Sequence, residues 1–165
     1  MKILFICTHN RCRSILAEAI MRQSFKKYAN GSIHIESAGS APVGKVHPLT
    51  LEHLERRGYN TENLKSISWD DLADFNPDVA ITVCDNAAKE VCPIYLGHAI
   101  KIHWGLSDPS RTDIDEGNRQ AAFDSIIDIF EKRTKQVCQY DFTDMTDEQI
   151  NNTFNKIGEI THGCF

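Results

Sequence analysis

The chain has 165 residues, 41% hydrophobic and 25% charged, a balance that fits a globular protein with its own core and excludes a disordered or low-complexity polypeptide. Its formal net charge of −5 gives no general attraction for nucleic acid or an anionic membrane, so an anionic ligand has to be captured by a local site. No apolar stretch approaches a membrane-spanning length, and Ile3-Leu4-Phe5-Ile6 is too short for the core of a signal peptide, so a cytoplasmic location is expected.

Lys2 to Ile6 is continuously apolar after its lysine and reads as a first strand buried on both faces. A polar and basic loop follows, Cys7-Thr8-His9-Asn10-Arg11-Cys12-Arg13-Ser14. A first helix then begins near Ile15, with Ala17, Met21, Phe25 and Tyr28 at helical spacing, and Asn30-Gly31 stops it. Ser32 to Ala38 alternates as a second strand. Gly39 to His47 is loop, and Pro48 opens a helix carrying Leu51 and Leu54 that Gly58 closes. Asn60 to Ser68 is irregular, with a short helix expected over Trp69 to Phe75. Asp78 to Val83 is a third strand ending at Cys84, Asn86 to Glu90 holds one helical turn before Cys92-Pro93, and His98 to His103 is a fourth strand. Trp104 to Ser110 is loop. Phe123, Ile126, Ile127 and Phe130 fall at i, i+3, i+4 and i+7 and define a core helix. Beyond Tyr140, Thr146 and Gln149 resemble a capping box for a helix over Asp147 to Ile157. Arg56-Arg57 and Lys26-Lys27 read as solvated helix faces.

Strands alternating with helices imply an α/β protein with a parallel sheet, whose ligand sites gather at the C-terminal strand ends. Cys7, Ser37, Cys84 and the loop holding Asp108 all lie at such ends, and if the first and third strands are neighbours, Cys7 and Cys84 share an edge. The first loop has the chemistry of an anion cradle. Its backbone amides and those of the following helix N-terminus favour negative charge, and Arg13, separated from Cys7 by five residues, adds a planar fork for two oxygens of a tetrahedral oxyanion. The same field favours a thiolate and makes Cys7 a candidate nucleophile with a depressed pKa. Cys-x5-Arg alone recurs by chance in a chain with six cysteines; the strand before it and the helix after it give it weight. A cytoplasmic setting makes the six cysteines reactive or ligand thiols rather than a disulfide framework.

Cys7 to Ser14 after an N-terminal strand resembles the phosphate loop of the low-molecular-weight protein tyrosine phosphatases, a fold shared by the thiol-coupled arsenate reductases. His103-Trp104-Gly105-Leu106-Ser107-Asp108-Pro109 and Thr82-Val83-Cys84 followed by Cys92-Pro93 resemble the reductases in particular. The resemblance spans about Lys2 to Arg133. It implies a four-stranded parallel sheet in the order 2-1-3-4 flanked by helices and a catalytic domain over residues 1–139; residues 140–165, outside the resemblance, read from their change of composition as an extension of one helix plus tail. It implies Cys7 as nucleophile, Arg13 as oxyanion clamp, Asp108 as general acid and Ser14 as a donor to the Cys7 thiolate. Thr8, His9, Asn10, Arg11, Cys12 and Arg13 would bind the oxyanion, and Asn10, Glu18 and Ser37 would brace the loop. Cys84 and then Cys92 would pass on the oxidation as a relay, re-reduced by thioredoxin or by glutathione with glutaredoxin, with no tightly bound cofactor and no metal, in a chain read as a monomer.

This sequence departs from the phosphatases in ways that matter. His9 and Arg11 replace smaller residues, Ser110-Arg111-Thr112 stands where a tyrosine pair usually follows Asp-Pro, and Ala41 to His47 offers no aromatic wall for a phenyl ring. These departures favour arsenate over phosphotyrosine. The alternatives are a phosphatase acting through a Cys7 phosphocysteine, and a thiol redox or metal sensor with cysteines and His98 or His103 as zinc ligands. Cys12 is expected to pack in the loop rather than react, and Cys138 and Cys164 to take no part.

Overall fold

A computed structural model describes residues 1–28, 33–89 and 96–161. Strand β1, Lys2–Cys7, is buried at every position from Ile3 onward, as a strand covered on both faces must be. It is central in a parallel sheet whose other strands are β2 (His34–Gly39), β3 (Val79–Thr82) and β4 (Ile100–His103), in the order β2-β1-β3-β4. The order matches the expectation. Cys7 pairs with Gly39 on one side, and Ile6 pairs with Thr82 on the other, so the chain leaves β1, β2 and β3 at one edge of the sheet.

Helices α1 (Arg13–Tyr28), α2 (Pro48–Arg56) and α4 (Glu116–Val137) pack on one another; α3 (Asp85–Lys89) follows β3, and α5 (Asp147–Gly158) lies against β4 and α4. Pro48 starts α2 behind His47, whose ring accepts from the Leu49 amide. Gly58, at φ 79°, ends it in a Schellman arrangement, with the Tyr59 amide bonded to the Leu54 carbonyl and the Gly58 amide to that of Glu55. Phe123, Ile126, Ile127 and Phe130 of α4 are buried as their spacing predicts. Thr146 and Gln149 form the expected capping box of α5, which contributes Ile150, Phe154 and Ile157 to the same core as the sheet.

Two expectations are corrected. Trp69 to Phe75 yields only a 3-10 turn, Trp69–Leu72, because Asn76 turns left-handed (φ 47°) ahead of Pro77. Arg56 and Arg57 are more than a solvated face: Arg56 pairs with Asp124 at 2.7 Å, and Arg57 with Asp128 at 2.5 Å and Glu131 at 3.0 Å, tying α2 to α4. The Asn30-Gly31 stop lies outside the described residues. No helix among the described residues is long and apolar enough to cross a membrane.

Candidate active site

The cleft lies at the sheet edge where β1 ends. Its volume is about 150 Å³ and it is lined by Cys7, Thr8, His9, Arg11, Cys12, Arg13, Cys84, Asn86 and Asp108. This scale suits a small oxyanion. Loop residues 8–12 lead directly into the first turn of α1, whose amides lack intrahelical acceptors. Main-chain bonds from the loop after β2 hold the cradle from outside: Ala41 N–H donates to the Thr8 carbonyl at 2.9 Å, and His47 N–H to that of Arg11 at 2.9 Å.

Beneath the loop, the fully buried Asn10 adopts φ 44° and donates its backbone N–H to Cys7 Sγ at 3.1 Å. Its side-chain amide donates to Ser14 and to Ser37, both at 2.9 Å, while its Oδ1 accepts from the Ile67 N–H at 2.8 Å. Ser14 Oγ lies 2.9 Å from Cys7 Sγ, and Ser37 donates to Glu18 at 2.5 Å. Burial pushes the Glu18 carboxyl up to about 7, against the pull of Arg22 at 2.5 Å and of Ser37.

The electrostatics correct one expectation. Cys7 is only 5% exposed, and burial pushes its thiol above the ordinary value. Hydrogen bonds from Ser14 and Asn10 pull it back without reversing the shift, and nearby Cys84 adds to the rise. Cys12 is buried and pushed up to about 12, so it stays a thiol.

Arg13 donates to the Leu106 carbonyl at 2.8 Å and to Asp108 Oδ2 at 3.3 Å. The other Asp108 oxygen accepts from the Ser110 N–H at 2.9 Å and its hydroxyl at 2.6 Å. Burial raises this carboxyl, but the Ser110 bonds, Arg13 and Arg11 outweigh it and hold it below the usual carboxylate range. Cys84, leaving β3, is buried; its sulfur lies 3.8 Å from Thr8 Oγ1 and accepts from the Ala87 N–H at 3.4 Å.

These features meet a family by sequence as well. A model described as low molecular weight phosphotyrosine protein phosphatase matches residues 2–151. The chain belongs to that family. Within it, the chain is 31% identical over 137 residues to the arsenate reductase of Bacillus subtilis, covering 83% of this chain and 94% of the relative. It is similar to the solved thioredoxin-dependent arsenate reductase of Corynebacterium glutamicum, at 30% identity and TM-score 0.61, over 84% of this chain and 60% of that one. It is also similar to the arsenate reductase of Archaeoglobus fulgidus, at 25% identity and TM-score 0.64, over 84% of this chain and 99% of that one.

In this member of the family, Thr8, His9, Arg11, Cys12 and Arg13, read from the sequence as oxyanion-binding residues, line the cleft. Asn10, expected both to bind the anion and to brace the loop, is placed beneath it as a brace with Glu18 and Ser37. Ser14 is fully buried, its hydroxyl 2.9 Å from the Cys7 sulfur. Cys92 and Cys164 lie outside the described residues. Among the described residues no group of three or more His, Cys, Asp or Glu side chains is placed to hold a metal ion. The sequence reading missed Asn86 in the cleft wall, the Leu106 carbonyl on Arg13 and the Ser110 bonds to Asp108. Only the last carried a local signal, the Asp-Pro-Ser run in which an aspartate caps its own turn.

Proposed function

We propose that this chain reduces arsenate to arsenite by a cysteine relay. The observation that carries the reading is a second thiol, Cys84, in the wall of the cleft that Cys7 and Arg13 form. Ester hydrolysis needs only Cys7, Arg13 and Asp108 and has no use for Cys84.

Arsenate enters with its oxygens on the loop amides and the Arg13 fork. In the resting site Arg13 is shared with Asp108. An oxyanion that takes over the guanidinium deprives Asp108 of its cation and brings negative charge beside it, and both effects raise the carboxyl toward the protonated form an acid requires. The anion can likewise accept the Cys7 thiol proton, leaving a thiolate that Ser14 and the Asn10 N–H stabilise. Cys7 Sγ then forms a bond to arsenic while one As–O bond breaks, its oxygen leaving as water with the proton of Asp108. The Cys84 thiolate attacks Cys7 Sγ. A Cys7–Cys84 disulfide forms, the S–As bond breaks, and its electron pair stays on arsenic, which falls from the pentavalent to the trivalent state as the two thiols are oxidised. Cys92 takes the oxidised pair onward as a Cys84–Cys92 disulfide, and an external dithiol of the thioredoxin class, or glutathione with glutaredoxin, restores the thiols. The thioredoxin-dependent relative supports such a donor.

The deciding experiment measures arsenite formed from arsenate with thioredoxin and its reductase, beside hydrolysis of phenyl phosphate, in the parent and in Cys84→Ser. The reading expects thioredoxin-coupled arsenite production that Cys84→Ser abolishes. Full reduction in Cys84→Ser would sink the relay, and hydrolysis with no arsenite from any thiol donor would make the chain a phosphatase.

A further inference from the structure

Arg133, on α4, is 2% exposed and pairs with no carboxylate among the described residues. Its bonds among the described residues go to main-chain carbonyls: Nη1 to Trp104 at 3.2 Å, Nη2 to Gly158 at 2.6 Å and Nε to Ile160 at 3.2 Å. Its guanidinium also lies over the Trp104 ring, 5.3 Å from the centroid. Burial lowers it to about 10, so it stays charged at neutral pH. Gly158 and Ile160 are at the C-terminal end of α5, where carbonyls lack intrahelical donors and a cation is favoured. Trp104 is the first residue of the segment that runs from β4 to Asp108.

The helix and that segment are locked together at close range. Trp104 Nε1 donates to the Phe154 carbonyl at 2.9 Å, and its ring stacks on Phe154. Gly158 sits so near the indole that a Cβ there would meet Trp104 Cδ1 at 2.6 Å. Two residues beyond Trp104, the Leu106 N–H is held by the Val83 carbonyl at 3.2 Å, and the Leu106 carbonyl takes the Arg13 guanidinium. Phe154, Gly158 and Ile160 all lie beyond residue 151, where the family match ends. Packing alone would be served as well by an apolar side chain of similar volume, without the cost of burying a charge. The role that needs a guanidinium is the joining of three diverging carbonyls.

We infer that Arg133 is a positioning residue that fastens the end of α5 to the Trp104 carbonyl and so fixes the segment Trp104–Asp108, which both carries Asp108 and orients Arg13 through Leu106. The inference rests on the roles proposed above for Arg13 and Asp108. It makes the C-terminal helix part of what holds the cleft in working geometry, some distance from the reacting sulfur.

The test compares the full-length parent, Arg133→Met, Asp108→Asn and the double variant, each scaled to its folded fraction from thermal unfolding. Arsenate turnover should fall about 10-fold to 10²-fold in Arg133→Met, the scale of a small misplacement of a catalytic group, and by a clearly smaller factor when Asp108 is already Asn, where only the part that acts through Arg13 remains. Inorganic phosphate should also protect Cys7 from iodoacetate several-fold less well in Arg133→Met, because Arg13 has lost its anchor. Equal slowing in both backgrounds with phosphate protection intact would overturn the inference, as would a destabilised variant whose folded molecules turn over normally. If Arg133→Met does not fold, Gly158→Ala displaces the indole while keeping the guanidinium, and the same outcomes decide. A parent that makes no arsenite overturns the reductase reading alone, since phosphate protection of Cys7 still decides the role of Arg133.

Discussion

The Asn10 side-chain amide donates to the Ser14 hydroxyl at 2.9 Å, and that bond leaves the serine proton free for the Cys7 sulfur. An amide nitrogen only donates, so Ser14 Oγ accepts from it and keeps its own hydrogen for the Cys7 sulfur, 2.9 Å away, once that sulfur is a thiolate. The second amide proton goes to Ser37, whose hydroxyl therefore donates to Glu18. The amide itself cannot flip, because its oxygen is held by the Ile67 N–H. A main-chain group 57 positions away in sequence thus fixes which way the Asn10 amide faces.

Ser14→Ala removes the side-chain donor that opposes the burial of Cys7. The thiol, already raised, should rise further, so the pH inflection of Cys7 alkylation moves upward. A hydrogen bond to a charged group contributes about 1.5–3 kcal/mol, so alkylation near neutral pH should slow by about 10-fold to 10²-fold. Iodoacetamide rates across pH give the answer, and an unmoved inflection would show that Ser14 does not stabilise the thiolate.

Glu18 gives a stability dependence of defined sign. Its folded pKa of about 7 lies above the ordinary 4.5, so the folded chain holds a proton that the unfolded chain releases between those values. Its contribution is greatest below pH 4.5, falls as pH rises toward 7 and is flat beyond, a loss on the order of 3 kcal/mol. Glu18→Gln does not titrate. Urea midpoints should therefore favour Glu18→Gln over the parent increasingly from pH 5 to pH 8, and a constant gap would mean that Glu18 is ionised throughout.

Asp108→Asn separates binding from proton transfer. The resting carboxylate competes with a bound anion for Arg13 and repels it, so its removal should tighten inorganic phosphate binding. Asparagine cannot deliver a proton to the departing oxygen, and turnover should fall about 10²-fold to 10⁴-fold. Isothermal titration with phosphate beside steady-state rates reads both effects; weaker binding in the variant would argue that Asp108 holds Arg13 in place for the ligand.

Much of this site could be read from the sequence because its parts are local. The loop from Cys7 to Ser14 lies between an apolar run and a helical pattern, and the alternation of elements places Cys84 beside Cys7 once β1 and β3 are neighbours. The bonds that set its chemistry are not local: Asn10 to Ile67, Arg13 to Leu106 and Arg133 to Ile160 join segments with no common pattern. The direction of the Cys7 shift was equally hidden, since donors show in a motif whereas the depth of burial depends on everything packed around it.

Gly39 offers the sharpest test of how rigid the cradle is. At the end of β2 it faces Cys7 in register, and a Cβ there would meet the Thr8 carbonyl oxygen at 2.6 Å, the Asn10 Cβ at 3.0 Å and the Asn10 backbone N at 3.1 Å. Its φ lies outside the left-handed range, so the constraint is space alone. The obstructing atoms are main chain or the Cβ fixed directly to it, and they cannot swing aside as the far end of a flexible side chain would. Gly39→Ala must push residues 8–10 outward, lengthening the bonds of Asn10 and moving the amides that face the oxyanion. Overpacking of this kind costs about 1–3 kcal/mol, which a lower urea midpoint would register. Phosphate protection of Cys7 should fall by a larger factor than that stability loss implies, because the displacement is concentrated in the loop. Normal protection in Gly39→Ala would mean that the loop gives way without loss, and that the cradle is less pre-organised than its hydrogen bonds indicate.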